Sequence, residues 1–366
     1  MSRQSELAAL GRVADTGALS NRRLTYNGAM NVWQRGTSDD TATSGDYMCD
    51  RWYVVHTGLD GNVDWDQETS STPDGFAYAL KVSTDASETS LDAGDYLMIG
   101  QKFEGQDLQH LLKGSANAKK VTVSFWVRSS VASTYTLELR DNDNNRNNHR
   151  SYTIDVADTW EYKTITFDGD TSSADPFNND ANTSMTLGFW VDAGSTYTGG
   201  TFSTAWQDNA NDERVYDTTG WLESTSPTFY ITGVQLEVGD TATEFEHRSY
   251  GDELQRCQRY YYKIDLSPTA AILPTCTVWD TQNAYGDMSF PTVMRSTPTF
   301  QYPGGSNFTF YSGGISYNPN YISSNGSTAH HWGVHYRNSG TNFTAGNAIY
   351  ARQINSSAYV SFDAEL

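Results

Sequence analysis

The sequence predicts an all-β protein: an N-terminal β-sandwich of jelly-roll type, a connecting helix, and a second, smaller C-terminal β-sandwich. Three observations lead there. Apolar and polar residues alternate with period two in stretch after stretch, the pattern of half-buried antiparallel strands. The turns between them are rich in Gly, Asn and Asp, with 30 glycines against nine prolines in 366 residues, as expected of a sandwich built from many short strands. One segment, "HRSYGDELQRCQRYYYKI" from His247 to Ile264, breaks the pattern with helical spacing. The chain is too long for one typical domain.

Taken in order, residues 1–22 form a short separate piece in which Leu7, Leu10 and Val13 mark one face of a helix ended near Gly17. A helix this short does not fold alone. It is either a frayed terminus or a peptide that orders against a larger assembly. Residues 23–247 are the first sandwich. In "VTVSFWVRS", Val121, Val123, Phe125 and Val127 alternate with Thr122, Ser124, Trp126 and Arg128. In "MTLGFWVDAG", Met185, Leu187, Phe189 and Val191 oppose Thr186, Trp190 and Asp192. "FYITGVQLEVG" places Tyr230, Val234, Leu236 and Val238 on a single face. "EGQDLQHLLKG" reads as a short helical insertion closed by Gly114.

The connecting helix is assigned to residues 248–264. Tyr250, Leu254, Cys257 and Tyr261 fall at i, i+4, i+7 and i+11 and make one stripe. Asp252 and Glu253 lie in the first turn and Arg256, Arg259 and Lys263 later, as the helix dipole prefers. A lone helix between two sheets must bury its stripe, either under one sandwich or against copies of itself at a symmetry axis. Residues 265–366 form the second β domain. "SSNGST" carries the Asn325-Gly326 hairpin signal, and in "AYVSFDAEL" Val360, Phe362, Ala364 and Leu366 alternate to the end, which ties the last strand into a sheet.

Charge sets limits on function. The net charge of −20 excludes the basic stripe that nucleic acid requires. Residues 265–366 carry five acidic and three basic residues, and residues 1–264 carry 39 and 21; this step supports a boundary after the helix. No run of about 18 apolar residues spans a membrane, and the N-terminus lacks the apolar region of a secretory signal. Cys49, Cys257 and Cys276 show no metal or disulfide spacing and read as free thiols.

The chemistry-bearing motifs are few. "DNDNNRNNH" begins like a calcium loop at Asp141, Asp143 and Asn145, but Arg146 and Tyr152 stand where that loop needs Gly and Glu; it reads as a polar hairpin tip. His330 and His331 point to opposite faces of a strand, and His331 and His335 lie too far apart for one metal. No nucleophile elbow, P-loop or HExxH motif occurs. No catalytic residue, metal site or cofactor is assigned. Sugars stack on aromatic rings, and the segment "YSGGISYNPNYISSNGSTAHHWGVHY" nominates Tyr317, Tyr321 and Trp332 for glycan contact.

A resemblance covers residues 20 to about 264 densely and the rest more loosely. "NRRLTYNGAMNVWQRGTS", "DRWYV", "QKFEGQDLQHLLKGSANAKKVTVSFWVRSS", "LGFWVDAGSTYTGGTF", "FYITGVQLEVGDTATEFEHRSYGDELQRCQRYYYKI" and the terminal "FDAEL" resemble a family of tailed-bacteriophage virion proteins of tail-fibre or receptor-binding type. The first domain of that family is similar to jelly-roll carbohydrate-binding modules. The resemblance implies a non-enzymatic virion protein exposed on the particle: a short tail fibre or tip contacting a host-surface glycan, docked to other virion proteins through residues 1–22. A homotrimer is expected, with Tyr250, Leu254, Cys257 and Tyr261 at its axis. A capsid decoration or head-fibre protein and a polysaccharide depolymerase are the alternatives, though no β-helix repeat supports the last.

Overall fold

A computed structural model describes residues 22–171, 176–266, 272–318, 321–340, 342–355 and 358–366. The docking segment 1–22 therefore lies outside the described residues except for Arg22. The chain divides into two compact units. The first runs to Glu253 and includes Leu366; the second is Leu254–Glu365.

The first unit is a sandwich of two six-stranded antiparallel sheets. One has the order β1 (Ser38–Ala42), β3 (Val63–Glu68), β4 (Ala79–Thr84), β12 (Thr228–Val238), β6 (Val121–Ser129), β9 (Glu161–Phe167). The other has β11 (Gln207–Asp208), β8 (Arg146–Thr153), β7 (Thr134–Asp141), β10 (Thr183–Ala193), β5 (Tyr96–Glu104), β2 (Tyr53–Thr57). The alternations in β6 and β10 meet as predicted: Val123, Phe125, Val127, Leu187, Phe189 and Val191 share one core with Trp52 and Trp221. Phe125 and Phe189 meet edge to face at 5.0 Å. Each such fully buried side chain stabilises by about 1.5–3 kcal/mol.

In β12 the expected single face does not hold. Phe229 and Ile231 are in the core, whereas Tyr230 lies under the Arg128 guanidinium on the opposite face. The register shifts between Thr232 and Gln235, and Gly233 has φ +62°. This bulge inserts one residue, so Val234 and Leu236 return to the core with the other parity. The insertion at 104–114 is two 3-10 turns, Gly105–Asp107 and Gln109–Leu111, with Gly114 left-handed at φ +77°.

The acidic hairpin tip is closed by protein groups. Asp141 Oδ1 accepts the backbone N–H groups of Asp143 and Asn144, and its Oδ2 lies 2.6 Å from the Lys113 ammonium. Lys113 also approaches Asp170 at 3.6 Å. All three side chains are buried. The lysine supplies the positive charge that a cation would bring.

The connecting helix is shorter than predicted. It spans Tyr250–Gln258, and the division between units falls inside it. Tyr261–Asp265 is strand β13, paired with β22 (Tyr359–Asp363). Sheet pairing of the β-favouring run "YYKID" overrides its helical spacing. The predicted stripe is dissolved accordingly: Tyr250 is 60% exposed, Cys257 is fully buried, and Tyr261 is buried on the strand. Glu253 is buried instead. It pairs with Arg23, accepts the Asn27 N–H at 2.6 Å and lies 3.6 Å from Arg248. All three cysteines are free and buried.

The second unit places a seven-stranded sheet over a three-stranded one. The first has the order β18 (Ile315–Tyr317), β17 (Phe308–Ser312), β21 (Ala348–Gln353), β14 (Cys276–Val278), β15 (Asn283–Ser289), β20 (His331–Arg337), β19 (Tyr321–Ser324). The second is β13, β22 and β16 (Thr299–Gln301), with the C-terminal strand β22 at its centre as its alternation implied. Val360 and Phe362 of β22 join Trp332, Val334, Tyr336, Phe310 and Ile349 in the core. The Asn325-Gly326 signal marks the β19–β20 hairpin, with Gly326 at φ +73°.

Candidate functional site

Strand alternation in the seven-stranded sheet sends one set of side chains to the core and the other to an outer face. On β20, Trp332, Val334 and Tyr336 are buried, and His331, His335 and Arg337 point the other way. Trp332, which the sequence nominates for glycan contact, is wholly buried, its ring stacked on Phe300 at 5.0 Å and edge-on to Phe362 at 5.1 Å. Tyr317 is half-buried against the core and meets Phe343 edge to face at 5.2 Å, so it is also no surface platform. Of the three nominees only Tyr321 lies on the outer face.

The aromatic groups that do reach the outer face are others. Cys276 and Val278 point inward, so Thr277 and Trp279 point outward, and Trp279 is 75% exposed. Tyr285, paired across from Thr277, is 37% exposed. Its ring stacks on that of His335, its partner on β20, with centroids 4.8 Å apart and planes at 13°. Tyr321 meets the other side of the imidazole edge to face at 5.6 Å.

The polar groups between the rings are locked in place. Asn283 Nδ2 donates to both oxygens of Asp280 at 3.0 Å, which fixes the amide so that its oxygen faces His335. His335 Nε2 lies 3.0 Å from that oxygen and Nδ1 3.0 Å from Ser323 Oγ. An amide oxygen only accepts, so Nε2 carries the proton and Nδ1 accepts from the Ser323 hydroxyl. Burial, with Arg337 nearby, pushes the His335 pKa below its usual value despite Asp280. Asp280 also accepts the backbone N–H groups of Gln282 and Asn283, and Trp279 N–H donates to the Asn283 carbonyl at 2.8 Å. These bonds hold the Asp280 carboxyl below the usual carboxylate range. They also make the tight turn that presents Trp279. Arg337 lies 5.8 Å over the Tyr321 ring.

The motif "VWDTQNAY" contained this information. An Asp followed by Asn three residues later is a turn signal, and the parity of Cys276 and Val278 across it puts Trp279 and Tyr285 on one face.

A second cluster of charge and aromatics lies in the first unit, on the outward side of β5, β10 and β7. Glu138 accepts from Arg214 Nε at 2.9 Å and Nη2 at 2.7 Å, and from Trp190 Nε1 at 3.0 Å. Burial alone would raise its pKa, but Arg214 and His149 outweigh burial and hold it far below the usual range. Tyr96, Trp190 and Tyr197 pack ring against ring at 5.0–5.4 Å. The segment around Tyr197, Arg214 and Val215 covers this face, and Tyr53 and Trp190 are buried beneath it.

No family model and no curated protein matches the chain by sequence. Among solved structures, 60% of the chain is similar to the enzymatically active domain of bacteriophage CBA120 tailspike protein 4, at 11% identity and a TM-score of 0.32, over only 22% of that chain. A CBM4 structure is similar at 13% identity and a TM-score of 0.30, covering 58% of this chain and 98% of that one. TmCBM61 in complex with β-1,4-galactotriose is similar at 12% identity and 0.29, covering 60% and 100%. Likenesses this distant extend none of those activities to the present chain. Among the described residues no helix is long and apolar enough to cross a membrane.

Proposed function

We propose that this chain is a non-enzymatic attachment protein of a bacteriophage virion, exposed on the particle, whose C-terminal unit binds glycan on the outer face of its seven-stranded sheet. The observation that carries the glycan reading is the exposed Trp279 on the same face as Tyr285, with Asn283 and His335 held by hydrogen bonds and Arg337 over Tyr321 nearby. Flat apolar rings with fixed polar groups at their edges are what sugar recognition uses. The virion reading rests on the resemblance carried by "NGAMNVWQRGTS" and "QLEVGDTATEFEHRSY". The near-neutral C-terminal region suits contact with an anionic bacterial surface better than the acidic remainder.

The test is binding of the purified full-length chain to host cells and to their surface polysaccharide. Wild type should bind, and Trp279→Ala should abolish binding with an unchanged melting temperature. Undiminished binding by Trp279→Ala would move the site elsewhere. Antibody labelling of intact virions separates a tail position from a head position, and light scattering tests the expected homotrimer.

A further inference from the structure

The glycan reading leaves open what kind of sugar the face takes, and the arginines of this region narrow it. Three basic residues, Arg295, Arg337 and Arg352, lie in residues 265–366. Arg295 is used internally: Nε donates to the Ala364 carbonyl at 2.7 Å and Nη2 to the Glu365 carbonyl at 2.8 Å. The other two both project from the outer face of the seven-stranded sheet, exposed. Arg337 lies over Tyr321 and Arg352 over Tyr311, each at 5.8 Å, and Tyr311 stacks on Tyr350 at 5.6 Å. Neither guanidinium has a carboxylate within ion-pair distance among the described residues. The carboxylates near them on this face are already engaged: Asp280 with its turn, and Asp287 facing His331 at 3.6 Å.

A guanidinium over a tyrosine ring keeps its N–H fork available to meet an anion bidentately. The strand register puts the two arginines about six residues apart along the strands and three strands apart across the sheet. At ordinary strand spacings that is about 25 Å, the span of several sugar units.

We propose that the ligand of this face is an acidic polysaccharide bearing carboxylate or phosphate groups, anchored at one end by Arg337 beside Trp279 and at the other by Arg352; this rests on the glycan reading above. The rings supply stacking, and the two arginines select repeat units that carry negative charge.

Affinity electrophoresis of the full-length chain tests it, in gels containing polygalacturonate, poly(glycerol phosphate) or a neutral galactan. Wild type should be retarded by at least one polyanion and far less by galactan. Retardation by polygalacturonate alone identifies the carboxylate as the ligand group, and by poly(glycerol phosphate) alone the phosphate. Arg337→Gln should weaken retardation about tenfold and Arg352→Gln by less, with melting temperatures unchanged, and Trp279→Ala should abolish it. Retardation by neither polyanion, or retardation that Arg337→Gln leaves intact, would overturn the proposal. Equal retardation in galactan that is lost only in Trp279→Ala would overturn the acidic class and leave the glycan reading standing. Loss of neither in Trp279→Ala would remove both.

Discussion

The two units make opposite use of the same materials. Each has a sheet face carrying arginine beside tyrosine and tryptophan. In the first unit that face is covered by the chain segment containing Tyr197, Arg214 and Val215. There Arg214 is paired bidentately with Glu138 and stacked 4.7 Å over Trp190, itself 1% exposed. In the second unit Arg337 lies over Tyr321 with no carboxylate partner among the described residues, and Trp279 is open to solvent. Aromatic and charged residues at strand positions therefore do not mark a binding surface by themselves. What lies over the face decides whether they are structure or site.

The largest effect that would sharpen this contrast is at the covered face. Glu138→Ala leaves Arg214 buried without its partner and should destabilise the first unit by about 3–5 kcal/mol in denaturant unfolding. If the loss is under 1 kcal/mol, that face is more open than its burial indicates. Trp332→Ala should remove a similar amount, about 3–5 kcal/mol, from the second unit, because the ring is in the core. Any loss of glycan binding in this variant should track its unfolding. Trp279→Ala should change stability by less than about 0.5 kcal/mol while ending binding; the paired result for the two tryptophans separates core from site in one experiment.

A smaller effect concerns the acidic first unit. Burial and the neighbouring Asp85, Asp40 and Asp66 raise the Asp64 carboxyl to about 6. A raised carboxyl favours folding below its unfolded pKa, and that contribution is lost as pH rises through about 6. Asp64→Asn should therefore stabilise by up to about 1 kcal/mol at pH 8, after solvent screening, and by nothing below pH 4. Equal melting temperatures at pH 8 would show that these carboxylates do not strain the fold. In the second unit His335 has the opposite sense. Its lowered pKa means that stability present above its unfolded value near 6.5 is lost as pH falls through the lower folded value. His335→Gln should flatten the melting profile of that unit between pH 5 and 7.

The sequence by itself determined a good deal of this protein. The period-two alternation in β6 and β10 was enough to assign the all-β class and the core faces of those strands, because successive side chains of a pleated strand point to opposite faces. It also placed the Asn325-Gly326 hairpin and the apolar terminal strand. Three things were decided only in the tertiary structure. A single bulge at Gly233 reversed the parity of β12, since one inserted residue flips every side chain after it. Pairing with β22 turned Tyr261–Asp265 into a strand, because a partner strand outside the local window outweighs helical spacing within it. Trp332, read from the sequence as a surface residue, is in the core, and Trp279, which the sequence did not single out, is exposed: aromatic content identifies residues fit to stack, but burial depends on which face each side chain takes and on what packs over that face.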